Sequence, residues 1–157
     1  MPRKYKSQTI SLSKAKFVDD YRWTIAFEAI KDLTGVNPNA IRRASRVTPL
    51  PAVRMMVAYV MSSELGQSPD YISSQINKDR TLTYYYINHF PEYIKEGIYK
   101  DYYEAFLELF YHKLKSLGYI CNCCGALDPI LKGDKPLIPK SESKFKTKLD
   151  DIKEWYL

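Results

Sequence analysis

Apolar residues recur at helical spacing along most of this chain, and their punctuation marks where each helix starts and stops. Val18, Ile25, Ala26, Ala29, Ile30 and Leu33 predict a helix over 14–33 that Gly35 ends. Asn37-Pro38 is an N-cap followed by proline at the first helical position, which opens a short helix through Ala44. The stretch 45–51 carries two prolines and reads as a loop. Val53, Met56, Val57, Val60, Met61 and Leu65 then form the clearest apolar stripe in the chain, closed by Gly66. Ser68-Pro69-Asp70 starts another helix, with Ile72 and Ile76 inward, and Asn77-Lys78 breaks it. Asp79 caps a following helix to about Phe90, where Pro91 should stop it. Tyr103, Phe106, Leu107, Phe110, Leu114 and Leu117 mark a longer helix over 99–117, ended by Gly118. Periodicity is lost over 119–147, and Leu149, Ile152 and Trp155 allow one last short helix docked on the body. No convincing strand and no internal repeat is seen. The expected fold is all-α: a compact bundle of about five to six helices containing a helix-turn-helix, with an irregular tail.

Composition agrees with a globular protein. The 157 residues are 45% hydrophobic and 27% charged, which is consistent with one domain. Three parts are expected: a basic flexible arm at 1–12, a helical domain at 13–118, and a tail at 119–157. No run of apolar residues is long enough to span a membrane, and no signal peptide opens the chain. Three cysteines within four positions make no disulfide framework, so a reducing compartment is expected, the bacterial cytoplasm or nucleoid.

Charge adds a partner class. The net charge is +6 and the pI about 9.1. Arg3, Lys4, Lys6, Lys14 and Lys16 crowd the N-terminus without an acid, and no acid lies between Asp32 and Glu64, where Arg42, Arg43, Arg46 and Arg54 fall. Two uncompensated positive zones suit a surface that tracks phosphates. The pair of helices over 68–90 fits the helix-turn-helix plan, whose second helix enters the major groove. On a helical wheel Leu82, Thr83, Tyr86, Ile87 and Phe90 share the side expected to pack, while Thr81, Tyr84, Tyr85 and Asn88 face away. Arg80 flanks the first turn next to Lys78. Hydroxyls, an amide and cations on an acid-free face can meet bases and phosphates in duplex DNA.

The stretch from Ile25 to about Leu114 resembles the C-terminal DNA-binding domain of the bacterial replication initiator DnaA, with its Trp-repressor-like fold. The carriers are NPNAIRRA, the basic loop SRVTPLPAVR, MMVAYVMSSEL, SPDYISSQI and KDRTLTYYYINHF. The resemblance implies that a loop arginine at or beside Arg54 enters the minor groove, with Arg42, Arg43 and Arg46 as phosphate partners. It also implies that the helix beginning near Arg80 reads the major groove. Thr81 and Leu82 stand where the family has histidine and threonine, and Asp79-Arg80 reverses its arginine-aspartate pair, so another target sequence is expected. The initiator's ATPase part has no counterpart in this sequence. No glycine-rich phosphate loop occurs, and neither nucleotide nor cofactor is expected. An isolated module of this kind fits a replication or transcription accessory factor of a phage or mobile element.

Other chemistry is thin. Cys121, Cys123 and Cys124 form C-x-C-C, short of the four ligands of a zinc site, and are expected to be ordinary buried or half-exposed thiols. Neither His89 nor His112 has a nucleophile or paired carboxylate beside it in sequence, so no enzyme is expected. The competing reading is a protein-interaction or phage-assembly module that uses its 14 tyrosines. A homodimer or a protein partner held through the tail is compatible with either.

Overall fold

A computed structural model of the chain describes residues 18–139, apart from 96 and 122. The basic arm, the beginning of the expected first helix and the expected final helix lie outside the described residues. Within them the fold is all-helical: α1 (Tyr21–Thr34), α2 (Pro38–Arg42), α3 (Leu50–Ser63), α4 (Pro69–Ile76), α5 (Arg80–Tyr93) and α6 (Gly97–Ser116), then a 3-10 turn at Pro129–Leu131. One isolated bridge pairs Ile120 with Leu127, and the described residues contain no strand.

Side-chain caps set most of the starts. Asp20, Asn37, Ser68 and Asp79 accept from the backbone N–H two or three residues on, at the heads of α1, α2, α4 and α5. α1 therefore begins at Tyr21, and Val18 is an exposed residue ahead of it rather than part of its stripe. α2 stops at Arg42, two residues early, because Arg43 turns to extended backbone. α3 starts at Leu50, so Pro51 lies in its first turn, where a missing N–H costs no hydrogen bond. Pro91 likewise lies inside α5, which continues to Tyr93. It joins the helix without stopping it, because only the last turn follows.

α3 is the central element. Val57, Ala58, Val60 and Met61 are fully enclosed, and α5 packs along α3 while also meeting α4. α6 lies on α1 and contributes Phe106, Phe110 and Leu114, all sealed from solvent. Tyr59, Phe90 and Tyr103, one each from α3, α5 and α6, meet with ring centroids 5.2–5.9 Å apart.

The segment after Gly118 completes the core instead of trailing from it. Tyr119, Leu131 and Leu137 are buried. Arg22, wholly enclosed, donates to the carbonyls of Leu131, Gly133 and Lys135 at 2.6–2.9 Å. Its partner Asp20 holds it at 2.6 Å and also accepts from the Tyr71 hydroxyl and from Leu137 N. Asp134 receives Ser68 N and Oγ, both at 2.7 Å, fastening the tail to the head of α4.

Two outcomes follow from this knot. Arg22→Met should cost about 3–5 kcal/mol in urea denaturation, since it leaves a buried carboxylate without its cation. A loss below about 1 kcal/mol would show that the knot is dispensable. Burial and the bond to Asp20 raise the Tyr71 hydroxyl from 10.0 to about 12. The fold thus prefers the neutral phenol, a contribution complete below pH 10 and lost as the pH climbs towards 12. Tyr71→Phe should flatten the alkaline arm of the stability profile in that window.

Candidate nucleic-acid interface

The structure divides the four arginines expected on the basic loop. Arg54 is 2% exposed, and its guanidinium is committed to the backbone. Nε donates to Ile41 O at 2.7 Å, and Nη2 donates to Ala40 O at 3.1 Å and Arg43 O at 2.7 Å. These carbonyls belong to the end of α2, where Ala40 O also accepts Arg43 N and no further turn follows. The assignment of Arg54 to the minor groove is therefore corrected: it is a structural cation that carries the loop. Arg42 is half-buried, donates to Gln75 O at 2.8 Å and lies over the Phe27 ring at 4.9 Å. Burial lowers its pKa below the ordinary value. It too is drawn inward. Arg43 and Arg46 remain exposed.

The turn between α4 and α5 reads the same α2 terminus. Asn77 adopts left-handed backbone, φ 55°, and its side-chain amide donates to Arg42 O at 3.1 Å. Lys78 reaches Arg43 O with Nζ at 2.5 Å and is 9% exposed. Burial first, then the charges of Arg54 and Arg46, hold its ammonium down at about 8. Lys78 is therefore a buried neighbour of the surface rather than the free cation expected. Its bond to the Arg43 backbone, and its closeness to Arg46, bring the loop beside the first turn of α5.

α5 presents its faces largely as the helical wheel requires. Thr83, Tyr86 and Phe90 are buried, and Ile87 is half-buried. Thr83 accepts from Ser73 of α4 at 2.8 Å and donates to Asp79 O at 3.1 Å, which anchors the helix start. Arg80, Thr81, Tyr84, Tyr85 and Asn88 are exposed. Leu82 is the exception. Expected to pack, it is 38% exposed, because on the wheel it lies at the edge of the buried arc, beside exposed His89. His89 joins the outer face, stacked on Tyr85 with centroids 4.1 Å apart and Nδ1 2.9 Å from Tyr85 O.

Arg80 is oriented by contacts that local sequence spacing does not display. Asp70 of α4 lies 3.0 Å from its Nε, and Tyr84 receives its Nη2 at 3.3 Å with the ring beneath the guanidinium. The ion pair is open to solvent on both sides, so it steers the side chain more than it stabilises the fold.

Cys121, Cys123 and Cys124 are all exposed, contrary to the expectation of buried or half-exposed thiols, and lie in the 120–127 hairpin away from this surface. Among the described residues no group of three His, Cys, Asp or Glu side chains gathers to hold a metal ion. No helix among them is long and apolar enough to cross a membrane. Comparison with known proteins returned no matching family, no matching curated protein and no matching solved structure.

The two classes of arginine should separate in stability measurements. Arg54→Met removes three hydrogen bonds to backbone oxygens, of which only Arg43 O and Ala40 O keep another donor, and should cost about 3 kcal/mol in chemical denaturation. Arg46→Ala, at an exposed site, should stay within about 0.5 kcal/mol of the parent.

Proposed function

We propose that the chain is a non-catalytic double-stranded DNA-binding protein that docks α5 in the major groove, with Arg43 and Arg46 on phosphates beside it. The reading rests above all on one juxtaposition. The Lys78–Arg43 contact sets an exposed arginine loop next to a helix whose outward residues, from Arg80 to His89, include no acid. Thr81, Tyr84, Tyr85 and Asn88 offer hydroxyls and an amide to base edges and phosphates, while Leu82 offers apolar contact to a thymine methyl. The resemblance of 25–114 to the initiator's DNA-binding domain supports the same docking, with the minor-groove role moved from Arg54 to Arg46 or Arg43. A replication or transcription accessory role in a phage or mobile element is the corresponding biological setting.

A second reading has its own observation. An apolar groove of about 750 Å³ is lined by Leu33, Pro49, Val53, Met56 and Tyr102, among others, and would suit a protein-interaction or assembly module.

Fluorescence anisotropy on duplex DNA across a salt series separates the two. The expected result is log K falling linearly with log salt, and a slope reduced by about 2 in the Arg43→Ala, Arg46→Ala double variant. Binding should also weaken as the pH rises past about 8, where Lys78 loses its proton, because a nearby phosphate favours the charged ammonium. Lys78→Met should remove that pH dependence. Absence of salt-sensitive binding would leave the interaction module as the better account.

A further inference from the structure

The three cysteines take no part in the α5 surface, yet the chain builds a defined turn around them. Cys121 N donates to Ala126 O and Gly125 N to Cys121 O, both at 2.9 Å, so the loop closes on itself. Gly125 takes left-handed backbone there, φ 69°. The Cys121 sulfur faces the backbone N–H groups of Cys124 and Cys123. N–H groups aimed at a sulfur stabilise the negative charge that a metal-bound thiolate carries. The platform is tied to the core: Tyr119 N donates to Leu114 O and Asp128 N to Tyr119 O, each at 2.9 Å, and Tyr119 and Leu131 are buried.

Cys121 and Cys124 have the C-x-x-C spacing with which one turn supplies two sulfurs to a tetrahedral ion. We propose that they form half of a thiolate site for Zn2+, completed by the same pair from a second copy of this chain.

The ligand inventory points to a second copy. The sequence holds three cysteines and two histidines, and its described acidic, histidine and cysteine side chains bring no three together at one place. Among the described residues one chain thus offers a pair, and two chains offer four sulfurs. All three thiols are exposed at the hairpin, where another copy can approach. Each ligating thiol releases its proton to solvent on binding, and four thiolates around Zn2+ leave a net charge of −2. Lys115 and Lys132 line the groove beside Gly125 and Ala126 and offset that charge, with Glu108 opposing them. His112 lines the same groove and is the residue to exclude.

The test uses the full reduced chain, freed of metal and titrated with Zn2+, and reads mass by light scattering and bound zinc by elemental analysis. The expected result is a doubled mass with one zinc per two chains, reversed by a chelator. Co2+ should replace zinc and show the charge-transfer and ligand-field bands of a tetrahedral tetrathiolate. Cys121→Ser and Cys124→Ser should each lose zinc and the mass change with unaltered circular dichroism, whereas Cys123→Ser and His112→Ala should keep both. One zinc per monomer, zinc lost in His112→Ala, or no zinc retained after gel filtration would each overturn the proposal. None of these readouts involves DNA, so failure here leaves the α5 reading standing, and the converse also holds.

Discussion

A single guanidinium organises the half of the molecule that carries the candidate surface. Arg54 rises from the first turns of α3 into the open end of α2 and donates to three carbonyl oxygens there, those of Ala40, Ile41 and Arg43. An enclosed cation is costly unless its donors are used, and a helix terminus gathers acceptors in one place with the matching sign of partial charge. Each therefore offsets the other's cost. Asn77 and Lys78 read neighbouring oxygens of the same terminus, so the α4–α5 turn is referenced to α2 as well as to its own helices. Without that shared anchor the arginine loop would have no fixed relation to α5.

The Asp20–Arg22 pair does the corresponding work at the opposite side. It caps α1, receives Tyr71 from α4, and gathers the carbonyls of 131, 133 and 135. A segment with little regular structure is thereby tied to the helices by hydrogen bonds. Because its backbone polar groups are met by an arginine, Leu131 and Leu137 can be buried without a strand partner. The same closure steadies the hairpin that carries the cysteines.

Local chemistry was the legible part of the chain. Asn37, Ser68 and Asp79 announce helix starts, Asn77 announces the break, and the apolar stripe from Val53 to Leu65 is enclosed as its spacing requires. The outward residues of α5 followed from a wheel, apart from Leu82, which lies at the edge of the buried arc. Prolines misled at helix ends: Pro51 sits in a first turn, where the missing N–H has no intrahelical partner to lose, and Pro91 gives up one intrahelical bond near the end of α5 without stopping it.

The fates of the arginines were not legible. Arg42, Arg43, Arg46 and Arg54 share one acid-free stretch and look alike in sequence, yet two face solvent and two are drawn to carbonyls far along the chain. Asp70 finding Arg80, or Arg22 finding Lys135, likewise depends on contacts made only after the helices pack. Taken alone, the sequence determined the helices, their caps, the acid-free face of α5 and a net positive charge, because these rest on residues a few positions apart. Tertiary structure alone decided which cations remain available to a ligand. A guanidinium is withdrawn from solvent only when a helix end from elsewhere brings enough acceptors to meet it, and no local pattern encodes that meeting.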